Sequence, residues 1–518
     1  MIEARRFPTA AVCSPHYLAS STGLAVLETG GNALDAAIAM NLTLGVVAPY
    51  HCGYGGDLFA LIWRDDLFAF NGSGRAPAAA DLEAMRRAVP DGVMPERGPL
   101  TVTVPGAPEA WFALLERFGT RSFRDLAAPA LRYAREGFPL TELGARAITA
   151  SSREAFQMGS SAGGRVYERP MRAGDLLQQP ELARTIEALA HGGADAYYRG
   201  EIADAIVQQL GSLGGSMTAA DLADHRGEWV QPLRATYRNV EVVELPPNTQ
   251  GITALEALKI VEECGPLPPD GPDRQHLLIE AVKMALSDRN AYVTDPDRMQ
   301  IQVSELTSPA WVSKRAAAFD PSRAGQTLSG RRSGGSTAYL CAVDRDEMFV
   351  SLIQSNCLGF GSGVSVPDWG INLHNRGVSF SLDSNDANVI APGKRTLHTL
   401  IPAMALKAGK PWLAFGSMGL HGQAQIHVQL VVRLVDDAED VQHAISAPRW
   451  VVSPEDGSVA AENRFEMSTT DGLVARGHAL DLLEAFDDEV GHAHAIRADR
   501  TCYTVGTDPR TEGAALGF

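Results

Sequence analysis

Positive charge is scarce in this chain. Its 518 residues carry 45 lysines and arginines against 62 aspartates and glutamates, a formal net charge of −17. No basic run or Lys/Arg stripe stands out, which argues against nucleic acid and an anionic membrane surface as partners. Cysteine is scarce as well. Cys13, Cys52, Cys264, Cys341, Cys357 and Cys502 are scattered without CxxC spacing, so neither a zinc ribbon nor a disulfide framework is expected, and buried free thiols are. Long apolar runs are missing: no window offers the ~18 uninterrupted apolar residues of a membrane span. The opening "MIEARRFPTAAVCSPHYLASSTG" also lacks the roughly 7–15-residue apolar stretch of a secretory signal. These absences lead to the expectation of a cytoplasmic protein.

Three further motifs are incomplete. "GSSAG" (159–163) matches a nucleophile elbow, but the helical pattern "REAFQM" precedes it where a strand is needed. "GFGSG" (359–363) has no Lys-Ser/Thr after it, as a phosphate loop requires. His421, His427 and "HAH" (492–494) have no third and fourth ligand at sensible spacing, so no metal, and no other cofactor, is expected.

What is present reads as alternating helices and strands. Ser21 or Thr22 is positioned to cap a first helix that ends at Gly30-Gly31. Asn32 caps a second, from about Ala33 to Val47, apolar almost all round and so buried on several sides. "DLFALIWRDDLFAFNGSG" reads as a hairpin turning at Asp65-Asp66. Helical patterns run from Leu82 to about Gly227, strands return in "RATYRNVEVVELPPNTQG", and two amphipathic helices follow. Residues 313–336 are the least structured stretch, an exposed Gly/Ser-rich linker. Helices before and after a block of strands predict an α/β layered sandwich, strands inside and helices outside.

The linker ends on "RRSGGS", and Thr337 begins the strand "TAYLCAVD". A threonine hydroxyl is a weak nucleophile until a base takes its proton, and one such base is the residue's own α-amine. That amine titrates near 7.7–8.0 and is partly neutral at cellular pH. An internal Thr gains it only if the preceding peptide bond is cut. A flexible upstream loop joined to a rigid downstream strand has the construction that such a cut needs, although most Gly/Ser loops entering strands are only loops.

The rest of the chain decides between these readings. "SPHYLASSTGLAVLETGGNALDAAIAMNLTLGVVAPYHCGYGGDLF", "TVTVPGAPEAW", "LAAPALRYAREGFPL", "PPNTQG" and "HLLIEAVKMALSDRNAYVTDPD" precede Thr337; "QSNCLGFGSG", "PGKRTLHTLIP", "FGSMG" and "ISAPRW" follow it. In this order they resemble the γ-glutamyltranspeptidase family of N-terminal-nucleophile hydrolases. The resemblance implies a four-layer αββα fold made as a precursor and autoprocessed at Ser336–Thr337. The products would be a large subunit 1–336 and a small subunit 337–518 that stay together, as one heterodimer or as a dimer of heterodimers. It implies Thr337 as nucleophile, Ser355 as the second hydroxyl beside it, and the backbone N–H groups of Gly419 and Leu420 as oxyanion donors. Leu420 stands where the family usually has Gly.

The acyl-binding positions depart from the family pattern. Ser73 stands where an Arg would pair with an α-carboxylate, with Arg75 two residues on. "HNRGVSF" (374–380) has Asn375 and Arg376 but no acid to hold an α-ammonium; His398-Thr399 replace a Ser-Ser pair, and Cys357 an Asn. An ammonium left unpaired in a partly dry pocket costs several kcal/mol, about what a buried charge without its partner does. Arg75, Arg376 and His398 would instead suit an anionic acyl group without an amine. The expectation is therefore an amidohydrolase acting on small carboxylate-bearing acyl amides, oxamate-type or glutaryl-type, with water or an amine as acyl acceptor. The alternatives are a γ-glutamyltransferase or glutathione hydrolase that uses replaced contacts, and an unprocessed, non-catalytic binding protein.

Overall fold

The computed structural model describes residues 3–156, 166–167, 169–325 and 336–518. The GSSAG stretch and linker residues 326–335 lie outside the described residues. Two seven-stranded sheets lie at the centre. One runs, edge to edge, through Ala514–Gly517, Ala11–Ser14, Ser336–Val343, Phe349–Cys357, Asp57–Arg64, Asp66–Gly72 and Glu228–Val230. The other runs through Arg5–Phe7, Tyr503–Thr507, Ala493–Ala498, Lys410–Ser417, Ala403–Lys407, Val240–Glu244 and Leu233–Tyr237.

Alternation along the strands creates the layers. In the strand Ser336–Val343, Ala338, Leu340 and Ala342 face a core shared with the helices Tyr17–Glu28 and Ala33–Val47. Tyr339, Cys341 and Val343 face the opposite way, into a core that also holds Met404, Leu406 and Ala414 of the second sheet. The second sheet turns its outer face to the helices Gly251–Glu263, Pro272–Tyr292 and Gln423–Val435. The period-two side-chain pattern thus yields helix, sheet, sheet, helix, and the expected αββα architecture is present.

Helix Ala33–Val47 is buried at every position, as its all-round apolar sequence predicts, and Asn32 and Asp35 close a capping box at its start. The helix before it begins earlier than expected, at Tyr17. His16 Nδ1, not Ser21 or Thr22, accepts from the Leu18 N–H, while Thr22 turns its hydroxyl back to the Leu18 carbonyl. The hairpin is as predicted, with Asp65 in the left-handed region at φ 61°.

The described part of the linker is more ordered than expected. Residues 313–316 complete a helix, Pro309–Ala316. Beyond it, Gly325 N–H donates to Glu280 and the Asp320 carbonyl meets His276 Nε2. His276, Glu280 and His478 hold ligand-type atoms within 4.8 Å of one another. Lys283 Nζ lies 3.2 Å from Glu280 and 3.3 Å from His478, where a cation would sit. This buried cluster fastens the segment leading toward Thr337.

Candidate active site

Antiparallel pairing brings the ends of two strands together. Thr337 is the second residue of one strand and Ser355 lies near the close of its neighbour, and the ladder shifts register between Ser336 and Ala338. Such a bulge re-aims side chains, and it falls on the Ser336–Thr337 peptide. Thr337 is fully buried. Its hydroxyl donates to Ser355 Oγ at 3.2 Å, and Ser355 Oγ donates to the Ser336 carbonyl at 2.6 Å. Ser355 Oγ also accepts from the Cys357 N–H at 2.7 Å. One serine therefore orients the threonine hydroxyl and polarises the carbonyl preceding it.

Facing them from the second sheet, the strand Lys410–Ser417 ends in Met418-Gly419-Leu420. The amides of Gly419 and Leu420 donate to no described backbone carbonyl. Leu420 is held at φ 45° and Gly419 at φ 141°. Leu420 thus keeps a left-handed backbone, the conformation that usually calls for glycine, and its side chain packs on Cys357 and Leu358. Gln250 anchors the turn by donating to the carbonyls of Thr399 and Leu420. Arg289 Nη1 in turn donates to Gln250 Oε1 at 2.7 Å and to His421 Nδ1 at 3.0 Å.

Arg376 is a charged group buried beside this turn. It is 1% exposed, and Nη1 donates to Thr399 Oγ1 at 2.9 Å. Its Nε and Nη2 have no acceptor among the described residues. Cys357 lies near enough for Arg376 to act on its thiol, which burial nonetheless raises above its ordinary pKa. Cys357 is also left-handed, at φ 76°.

An acid unforeseen in the sequence completes this neighbourhood. Asp57 pairs with Ser355 across the sheet and is fully buried. It accepts from the Gly74 and Gly106 amides and from His398 Nε2 at 3.0 Å. At Gly106 any Cβ would fall 1.7 Å from the Gly72 carbonyl oxygen, so only glycine permits that approach. Burial disfavours the ionised form, but His374, His398 and Arg376 outweigh it and bring Asp57 to about 2. His398 Nδ1 accepts from the Leu400 N–H, so Nε2 carries the proton given to Asp57. Burial, with Arg376 close by, lowers His398 to about 3. His398 is thus a neutral orienting group rather than a cation for an acyl carboxylate. The signal for Asp57 was an acid opening the apolar strand "DLFALIW" after "GYGG". His51, equally unforeseen, meets Ser336 Oγ at 2.8 Å.

Three predicted pocket residues are used elsewhere. Arg75 pairs with Glu228 at 3.2 Å and Asp295 at 3.4 Å, with its side chain 39% exposed. Ser73 gives its hydroxyl to Asn71 and its carbonyl to Arg395. Asn375 accepts from the Leu358 N–H and donates to the Glu96 carbonyl, stapling two loops. Thr337, Ser355, Cys357, Arg376, His398, Thr399 and Leu420 are linked by the contacts above; Arg75 is not.

The γ-glutamyltranspeptidase family model matches residues 19–518. The chain belongs to the γ-glutamyltranspeptidase family. It is 36% identical over 521 residues to the glutathione hydrolase-like YwrD proenzyme of Bacillus subtilis, covering 98% of each chain. It is also 36% identical over 527 residues to the oxamate amidohydrolase proenzyme of Klebsiella pneumoniae, again covering 98% of each. Among solved structures, cephalosporin acylase from Bacillus halodurans is similar with a TM-score of 0.94 at 36% identity, over 100% of this chain and 97% of that one. Like other members of this γ-glutamyltranspeptidase family, the chain is an N-terminal-nucleophile amidohydrolase that acts on amide C–N bonds and is made as a self-cleaving proenzyme.

Proposed function

We propose that Thr337 cuts its own chain and then hydrolyses amides of small acyl groups that carry a carboxylate and no α-amine. In the first reaction Thr337 Oγ attacks the Ser336 carbonyl carbon, the Ser336–Thr337 C–N bond breaks, and the acyl chain moves to oxygen as an ester. Water hydrolyses that ester, leaving the Ser336 carboxylate and a free Thr337 amine, and the fragments 1–336 and 337–518 remain associated. In the second reaction the amine takes the Thr337 hydroxyl proton while Oγ attacks the substrate carbonyl. The C–N bond breaks, the proton passes to the departing amine, and water releases the acid. The Gly419 and Leu420 amides hold the oxyanion in each step, a role in which one donor is typically worth ~2.7–4 kcal/mol.

The observation carrying the substrate class is Arg376, buried with Nε and Nη2 unsatisfied. A planar fork of this kind fits a carboxylate in two-point contact. Asp57 is the nearby counter-charge, but its oxygens are occupied by two amides and His398. The oxamate-acting and cephalosporin-acylase relatives support the reading by analogy. One observation favours a second reading: Asp57 is ionised, and a γ-glutamyl ammonium settling beside it would make the protein a glutathione hydrolase or γ-glutamyltransferase. A panel of oxamate, a glutaryl amide and a γ-glutamyl anilide separates the two. Higher kcat/KM for the amine-free acyl groups is expected; preference for the γ-glutamyl compound overturns the first reading. A protein that stays uncut and turns over none of the three would instead be the non-catalytic form.

A further inference from the structure

Beside the oxyanion turn lies a cavity of about 710 Å³ that the acyl-binding residues leave unused. Gly419, His421 and Gly422 form its inner wall. The Leu420 side chain points the other way, to Cys357 and Leu358, the neighbourhood of Arg376. The Gly419–Leu420 peptide therefore divides the site. With a substrate carbonyl at these amides, an acyl tail directed to Arg376 leaves the nitrogen substituent facing the cavity.

The cavity's charged lining is acidic. Among the described residues, Glu96, Asp481, Asp488 and Glu489 line it, and no lysine or arginine does. His421 does not offset them, because burial with Arg289 and Arg376 nearby holds its pKa well below the ordinary value. Arg289 donates to His421, and Arg146 acts on Asp488 against burial and Asp487, which raise its pKa. Carboxylates lining a concave surface raise the local concentration of a cation and repel an anion.

We infer that this cavity is the subsite for the amine half of the substrate, and that it selects an amine carrying a second positive charge, such as an aminoalkyl amine. This rests on the reading of Thr337 and Arg376 given above but concerns the opposite side of the scissile bond. One acyl group joined to three amines of matched length tests it: 1,3-diaminopropane, butylamine and β-alanine. The cationic amide should exceed the neutral one in kcat/KM by about tenfold and the anionic amide should be slowest, with the spread shrinking as salt rises. In the Asp481→Asn/Asp488→Asn double variant the cationic-to-neutral ratio should fall toward one, while Glu116→Gln, an exposed helix carboxylate outside the cavity, should keep it. Equal turnover of the three amides, or a ratio unchanged in the double variant, overturns the subsite. Binding of free 1,3-diaminopropane, followed by saturation-transfer NMR, tests the subsite without catalysis. Saturable binding lost in the double variant supports the subsite even if no amide is cleaved, an outcome that would refute only the acyl reading. No binding refutes the subsite even if hydrolysis is efficient.

Discussion

Ser355 Oγ takes part in three hydrogen bonds, with the Thr337 hydroxyl, the Ser336 carbonyl and the Cys357 amide. Replacing it with Ala removes the acceptor that points the threonine proton and the donor on the scissile carbonyl. Ser355→Ala should therefore slow self-cleavage by about 100-fold or more, the size of losing one oxyanion donor, while Ser355→Thr retains part of the rate; a time course on denaturing gels measures both. At Arg376 the loss should fall on the substrate instead. Arg376→Leu should lower kcat/KM for a carboxylate-bearing acyl amide by about 30-fold or more, since truncating a buried hydrogen-bonded charge contact costs ~2–5 kcal/mol. A variant that hydrolyses the same amide at the parent rate would remove Arg376 from the site. These roles differed in legibility. Thr337 was suggested by the junction of loop and strand, and Ser355 by the family resemblance; the structure makes their relation local to one pair of adjacent strands. Asp57 could not, because its partner His398 is 341 residues away. Arg75 misled because its spacing from Ser73 was visible and its ion partners Glu228 and Asp295 were not.

The Gly419–Leu420 turn, proposed above to hold the oxyanion, depends on a second element for its shape. Gln250, at the N-terminal edge of helix Gly251–Glu263, holds the carbonyls of Thr399 and Leu420 from a different part of the chain. Gln250→Ala leaves both carbonyls and the Arg289 guanidinium without that partner. The expected outcome is a lower kcat with KM changed less, because the turn holds the developing oxyanion more than the ground state; a rise in KM alone would contradict this. At the other helical layer, Asn32→Ala should destabilise the protein by about 1 kcal/mol through loss of its cap, read from denaturant unfolding. That cap was legible because Asn with an acid three residues on is a strong local signal. The start of the preceding helix was not, since His16 caps it and histidine lies outside the usual capping set. The order of the linker segment 317–325 was illegible for another reason. Its anchors, Glu280, His276 and Arg476, come from two other helical regions.

Across the whole molecule, burial of histidine links stability to pH. His16, His225 and His494 are lowered to about 4, and His51 and His398 to about 3, in each case chiefly by burial. Above the unfolded value of about 6.5 these groups are neutral in both states and contribute no pH dependence. As pH falls below it, the unfolded chain takes up protons that the folded chain does not, and the folded state loses stability until the folded values are reached. Asp57 acts lower: its stabilisation is complete above about 3.9 and is lost as pH falls through about 2. Tm should therefore decline steadily from pH 6.5 to 4, with a slope of several protons; a flat profile there would show these histidines to be solvated. A layered sandwich with strands inside and helices outside was legible from helix and strand periodicity, which shows which face of each element is apolar; the four-layer αββα order was implied by the family resemblance. The family resemblance grouped Thr337, Gly419-Leu420 and Arg376, but the residue pattern alone could not, because their convergence is set by how the two sheets face each other. The central claim is that the peptide bond before Thr337 is broken to create the catalytic amine. Intact-mass measurement with N-terminal sequencing on active protein tests it most directly. Two fragments are predicted, the smaller beginning at Thr337, together with an uncut, inactive Thr337→Ala chain; a single 55.3 kDa species with full activity would contradict the account.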